Sequence, residues 1–124
     1  MAFSTYEKAE RRVPVFSLPG NPVSTVVTFL QFVKPGLEKL MGMQPVRPLL
    51  ILRAFLEHEI KKTDKKKNFS RGILRNEMGR LIVKTTGSQS SGILSSMVAA
   101  NCLVLIPEDK EVLKAGEEVE VELL

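Results

Sequence analysis

The apolar pattern of this chain changes period once, and that change fixes most of what the chain can fold into. Between residues 23 and 41, Val23, Val26, Val27, Leu30, Val33, Leu37, Leu40 and Met41 recur at steps of three and four. That spacing is one face of a helix. Beyond residues 44–48, QPVRP, the apolar residues come in short runs: LLILRAFL, RGILRN, RLIVKTT, NCLVLIP and EVEVELL. Each is rich in Val, Ile or Leu, and EVEVELL alternates with period two, as a half-buried strand does. Asn76 and Gly79 mark a hairpin between the second and third runs. Only residues 91–100 read as helical in this half. The expected fold is therefore mainly β: a small C-terminal β-barrel-like domain over residues 45–124. Residues 1–44 read as a strand–helix remnant of an α/β unit, too little chain to bury its own apolar faces.

The junction inside that remnant is unusual. Residues 13–17, VPVFS, read as a short buried strand, and the helix follows at once through SLPGNPVS, residues 17–24. Pro19 and Pro22 lock two φ angles, and Gly20 is read as allowing backbone conformations closed to other residues. Asn21 is placed as N-cap and Pro22 as the first helical residue. Free N–H groups near Val23 and Ser24 would then point into the corner, where they could hold an anion. A rigid corner with no ligand fits the same residues. Pro35 and Gly36 are expected to kink or briefly break the helix, and Gly42 to stop it.

Charge and composition narrow the chemistry further. The net charge is +4, and residues 61–67, KKTDKKK, hold five of the 18 basic residues. Such a run fits nucleic acid or an acidic membrane surface, but a solvated loop tip explains it as well. Only Phe69 offers a nearby aromatic, so neither nucleic acid nor membrane is expected as a partner. Arg71 differs from the lysines, because it enters a strand pattern. The hydroxyl-rich TTGSQSSGILSS, residues 85–96, is either a phosphate-binding loop or a polar cap of a short helix. There is one cysteine, Cys102, in an apolar run, which reads as a core residue and fits a reducing, cytoplasmic compartment. The one histidine, His58, reads as a surface strand residue, and the only aspartates are Asp64 and Asp109. No cluster has metal-ligand spacing, and the chain is poorly stocked for acid–base catalysis. No apolar run reaches the roughly 20 residues of a membrane helix.

Taken together, LPGNPVS leading into VVTFLQFVKPGLEKLMG, then FSRGILR, TTGSQSSGILSSMVAANCLVLIP and LKAGEEVEVELL, resemble the molybdopterin molybdenumtransferases (MoeA proteins) and the gephyrin E domain. The resemblance covers nearly everything from Val13 onward. It implies an enzyme that binds adenylated molybdopterin, cleaves the adenylate and inserts molybdate, with magnesium assisting. It implies a homodimer whose cleft lies between the α/β domain of one protomer and the C-terminal domain of the other. Carried over residue by residue, the family's functional prolines match Pro19 and Pro22. Its functional arginine matches Arg71 and its functional serine matches Ser91, although Ser90 replaces the preceding family glycine. The substrate-binding set expected on this basis is Pro19, Gly20, Asn21, Pro22, Ser24, Arg71, Gln89 and Ser91. No catalytic or metal-binding residue is assigned within the chain. A family member is roughly three times longer, and its acidic metal-binding residues have no counterpart here. The chain is thus expected to be inactive alone and to bind no cofactor by itself. The alternative is a gephyrin-like interaction or dimerising scaffold module.

Overall fold

The computed structural model describes residues 1–8, 10–45, 49–86 and 94–124. The chain divides into two compact units, Met1–Pro48 and Leu49–Leu124.

The first unit begins with a hairpin. Strand β1 (Ala2–Lys8) pairs antiparallel with β2 (Arg11–Ser17), in a register that sets Phe3 opposite Phe16 and Lys8 opposite Arg11. The Phe3 and Phe16 rings pack tilted, with centroids 5.2 Å apart, a favourable aromatic arrangement. No strand was expected before residue 13. Ala2–Lys8 form one because β-prone Phe3, Thr5 and Tyr6 find a partner in the run after Arg11. The second strand also starts two residues earlier than its apolar core at Val13.

Helix α1 (Pro22–Thr28) starts at the expected cap: the Asn21 side-chain oxygen accepts from the N–H groups of Val23 at 3.0 Å and Ser24 at 3.3 Å. A π-helical turn (Phe29–Val33) and then α2 (Lys34–Leu40) continue it without a gap. The irregularity expected at Pro35 and Gly36 therefore falls just before them. Pro35 has no N–H, and its ring crowds the Gln31 carbonyl one turn back. One widened turn, in which the Lys34 N–H reaches the Phe29 carbonyl, relieves that clash without ending the helix. The helix then stops at Gly42, with φ of 78°. The Gly42 N–H bonds the Lys39 carbonyl at 3.0 Å, and the Met43 N–H bonds the Glu38 carbonyl at 3.0 Å. This pair of bonds is the Schellman stop that a left-handed glycine permits. A methyl group on Gly36 would meet the Phe16 ring at 3.6 Å, so α2 lies against β2.

The second unit is a closed barrel of five strands in the order β3 (Ile51–Leu56), β6 (Arg80–Thr85), β5 (Asn68–Glu77), β7 (Cys102–Ile106) and β9 (Glu118–Leu123). All five are the short Val-, Ile- or Leu-rich runs picked out in the sequence. Every neighbouring pair is antiparallel except β3–β6, a short parallel contact that closes the ring. Closure leaves no open sheet edge. A second small pair, β4 (Ile60–Lys61) with β8 (Val112–Leu113), had no alternating signal, each strand being two residues long. Helix α3 (Leu94–Ala99) lies within the stretch expected to be helical and contacts β5.

Alternation sorts the barrel into an inside and an outside. Ala54, Leu56, Val83, Cys102, Val104, Ile106, Leu113, Val119 and Val121 form the buried core. Gly72 belongs among them. A Cβ there would sit 3.0 Å from each of Cys102 Sγ, Val104 Cγ2 and Val83 Cγ2, so any side chain would press on all three. The β5–β6 hairpin turns through Met78 and Gly79, with φ of 50° and 85°, and the Gly79 N–H bonds Asn76 Oδ1 at 2.8 Å. Two positive φ angles mark the turn whose twist matches the strands.

Candidate anion site

The corner after β2 is rigid for reasons the sequence carries, but its donors are already used. Both amides at the start of α1 are held by Asn21, so the free N–H groups expected near Val23 and Ser24 are not available. The Thr25 hydroxyl stitches the turn further, donating to the carbonyls of Pro19 and, at 2.9 Å, Asn21. Gly20 needs no special conformation either: its φ is not positive, and nothing lies within 4 Å of where a Cβ would be. Its lack of a side chain instead leaves the corner open. Pro19 and Asn21 are half-buried, Pro22 is exposed, and the half-buried Ser24 follows on the first turn of α1. The corner thus presents a bare backbone edge fixed by two prolines and a cap, rather than a set of free donors.

The barrel carries the second candidate group. Arg71 lies within β5, directly opposite Leu103 of β7. Because Gly72 points inward, Arg71 points to the outer face, yet it is only 2% exposed. Its carbonyl accepts from the Thr86 N–H at 2.9 Å. Leu103 in turn lies opposite Glu122 of β9. Thr86, Arg71, Leu103 and Glu122 therefore form one row across four neighbouring strand positions on the outside of the barrel. Of the four buried polar or charged residues among those described, Lys62, Arg71, Thr86 and Glu122, three stand in this row.

Glu122 was not legible as a site residue. In EVEVELL it reads as the third glutamate of a solvated face, and Glu118 and Glu120 are indeed exposed, whereas Glu122 is 4% exposed. Burial of an ionisable group is costly without compensation, and both Arg71 and Glu122 are engaged by other groups of the chain. Gln89 and Ser91 of the expected set lie outside the described residues, as does Ser90.

The lysine-rich loop resolves into two kinds of lysine. Lys65, Lys66 and Lys67 are exposed, as expected of a loop tip, but Lys62 is buried. Its ammonium donates to the carbonyls of Lys66 and Pro107, each at 2.6 Å, and of Glu108 at 3.3 Å. That lysine ties its loop to the one after β7. His58 sits in a bend rather than a strand, and its Nε2 lies 2.8 Å from the Thr85 hydroxyl. Cys102 is a core residue, and burial pushes its thiol up to about 11.

Magnesium does not fit what is present. Among the described residues no three His, Cys, Asp or Glu side chains come together as a metal site. Asp64 accepts from Asn68 Nδ2 at 3.0 Å, and Asp109 is exposed beyond β7. Among the described residues, no helix is long and apolar enough to cross a membrane.

The described structure is a closed five-stranded barrel with a buried charged row on its outer face, preceded in sequence by a strand–corner–helix unit. Residues 53–124 match the family of the MoeA C-terminal region (domain IV), and the chain belongs to that family. It is 36% identical over 106 residues to the molybdopterin molybdenumtransferase of Haemophilus influenzae, covering 85% of this chain and 26% of that protein. It is 37% identical over 123 residues to gephyrin of Dictyostelium discoideum, covering 89% of this chain and 16% of that one. Among solved structures, the molybdopterin biosynthesis moeA protein of Pyrococcus horikoshii OT3 superposes with a TM-score of 0.67 at 35% identity, over 85% of this chain and 26% of that one. The chain thus spans about a quarter of the length of the transferase it matches, and less of the gephyrin.

Proposed function

We propose that this chain supplies the C-terminal part of a molybdopterin molybdenumtransferase. In this reading the LPGNP corner of one protomer and the Arg71 row of another contribute edges to the sites for adenylated molybdopterin and molybdate. The observation that carries the reading is the joint presence of both edges in a chain that is 36% identical to such a transferase over 85% of its length. The corner offers an open, preorganised backbone edge. Arg71 offers a fork-shaped guanidinium on a rigid strand, suited to paired oxygens of a phosphate or molybdate. Gln89 and Ser91 complete the proposed set. Residues 1–44 are proposed as the last strand and helix of an α/β domain of the molybdopterin-binding type, and residues 45–124 as the C-terminal β domain.

The chain by itself is proposed not to insert molybdenum. Insertion needs an oriented, closed pocket and charge stabilisation from several directions, and the described residues provide no magnesium site. The test supplies adenylated molybdopterin, magnesium and molybdate, with reconstitution of an apo-molybdoenzyme as readout. The chain alone is expected to match a no-protein control. Activity above that control would overturn the division of the site. In a full-length relative, replacing the arginine equivalent to Arg71 by alanine is expected to weaken substrate binding more than replacing an exposed lysine of the loop. Equal losses would remove Arg71 from the site.

Self-association in the cytoplasm belongs to the same proposal. Phe29, Phe32, Leu37, Leu40 and Met41 leave apolar surface exposed along the helical segment, and such a face favours a partner. Sedimentation that finds only monomer at high concentration would contradict it. The second reading, a gephyrin-like scaffold without catalysis, is favoured by the match to gephyrin over 89% of this chain.

A further inference from the structure

We infer that Glu122 is a specificity-determining residue for the anion site at Arg71, restraining the guanidinium from capturing small inorganic oxyanions. The inference rests on the proposal that Arg71 belongs to that site. Its physical basis is the cross-strand row. Arg71 and Glu122 flank Leu103 on the same outer face of the barrel, two strand spacings apart, or about 9–10 Å between their Cα atoms. Both are almost wholly removed from water, at 2% and 4% exposure, and Leu103 between them is at 0%. In surroundings this poorly screened, opposite charges carried by side chains of one such row interact appreciably.

The remaining outer glutamates of β9 make the point by contrast. Glu118 and Glu120 are solvated, and Glu118 pairs with Arg53 at 3.6 Å. A valine at position 122 would continue the strand at no electrostatic cost. A buried carboxylate in the same row as a buried guanidinium offsets the arginine's charge before any ligand arrives. An oxyanion entering beside Arg71 then meets a partly neutralised cation and a nearby negative charge. A small inorganic anion has nothing else to bind with. A larger substrate that engages other edges of the site can overcome the penalty. Specificity of this kind works by disfavouring the wrong ligand.

The experiment titrates the 124-residue chain with molybdate and, separately, with inorganic phosphate, following the backbone amide resonances of β5 in every variant and the Arg71 side-chain N–H resonances where arginine is present. Glu122→Gln removes the charge and keeps the shape. It is expected to tighten both anions at least fivefold, and Arg71→Ala is expected to abolish that gain. Unchanged or weaker binding in a folded Glu122→Gln chain overturns the inference, as does a gain that persists without Arg71. If Glu122→Gln fails to fold, the wild-type chain decides. With ¹³C-labelled glutamate, the Glu122 carboxyl resonance should shift along the same saturation curve as Arg71, and a carboxyl that does not respond overturns the inference. The two readings fail separately. Wild-type binding that Arg71→Ala leaves intact, or no wild-type response at all, sinks the site itself. Loss with Arg71→Ala but no response to Glu122→Gln sinks only the role of Glu122.

Discussion

The two units of this chain use similar residues to different ends. The barrel of Leu49–Leu124 turns the inner faces of its strands onto one another and buries a nine-residue apolar cluster. In Met1–Pro48 the only hydrophobic residue among those described that is buried is Val33, while Phe3, Tyr6, Val13, Phe32, Leu40 and Met41 are exposed. The difference is topological rather than compositional. Five strands closed into a ring supply both the apolar faces and their covering. A two-stranded hairpin beside one helical segment has more apolar face than it has chain to cover it. Local geometry in the first unit is well made, with a cap, a relieved proline and a glycine stop, yet local geometry does not supply a core. Most helical stability in proteins comes from packing rather than from caps.

The sharpest way to break this comparison is to separate the halves. A polypeptide of residues 49–124 is expected to give a dispersed amide spectrum and a cooperative melt, whereas residues 1–48 alone are expected to give neither. A folded first half, or an unfolded second, would refute the contrast outright.

The glycines offer the next test. Gly72→Ala forces a methyl into three atoms at 3.0 Å, and overpacking of this kind costs about 1–3 kcal/mol. Gly20→Ala adds a methyl to open space and should change stability by less than about 0.5 kcal/mol. Denaturant melts of the two variants check the ranking, and equal losses would mean that the barrel interior is looser than its distances imply.

How much of this was readable beforehand follows from where each signal lies. All five barrel strands were visible, because each is a short run rich in Val, Ile or Leu bounded by turn residues. The cap at Asn21 and the stop at Gly42 were visible because both motifs are local in sequence. The first strand was not, since its pairing depends on a partner about ten residues on and its own apolar content is thin. Lys62 was hidden among identical neighbours, because two of its three carbonyl partners lie more than forty residues away. Glu122 was hidden because alternation reports which face a side chain takes, not whether that face is covered. At the candidate site, Arg71 could be singled out from its strand context, but the row it shares with Thr86 and Glu122 exists only once the strands are in register. The free amide donors read into the corner were misplaced too, because the residue recognised as the cap occupies them.

Cys102 gives a smaller effect with a definite sign. Burial raises the folded thiol to about 11, above its value in an unfolded chain, roughly 8.5. Between those values the unfolded chain loses the proton first, so its deprotonation favours unfolding. The thiol's contribution to stability is complete below about pH 8.5 and falls as pH rises towards 11. Replacing Cys102 with alanine should flatten that part of the stability profile, and a profile that keeps the same slope would assign it to other groups.

The smallest expected effect is at the hairpin tip. Met78 is fully exposed with φ of 50°, a conformation that costs a residue with a Cβ roughly 1 kcal/mol. Met78→Asn, which suits the first position of this turn, should stabilise the barrel by a few tenths to about 1 kcal/mol. A melt showing no gain would mean that the turn is not strained.

The central claim, that stability resides in the closed barrel and not in the strand–helix unit, is tested most directly by native-state hydrogen exchange on the whole chain. The amides of β7, paired on both sides by β5 and β9, should exchange only with global unfolding and share one opening free energy. Those of β1 and β2 should exchange at least a hundredfold faster, through local opening. Equal protection of the two regions, with a single opening free energy for both, would contradict the account.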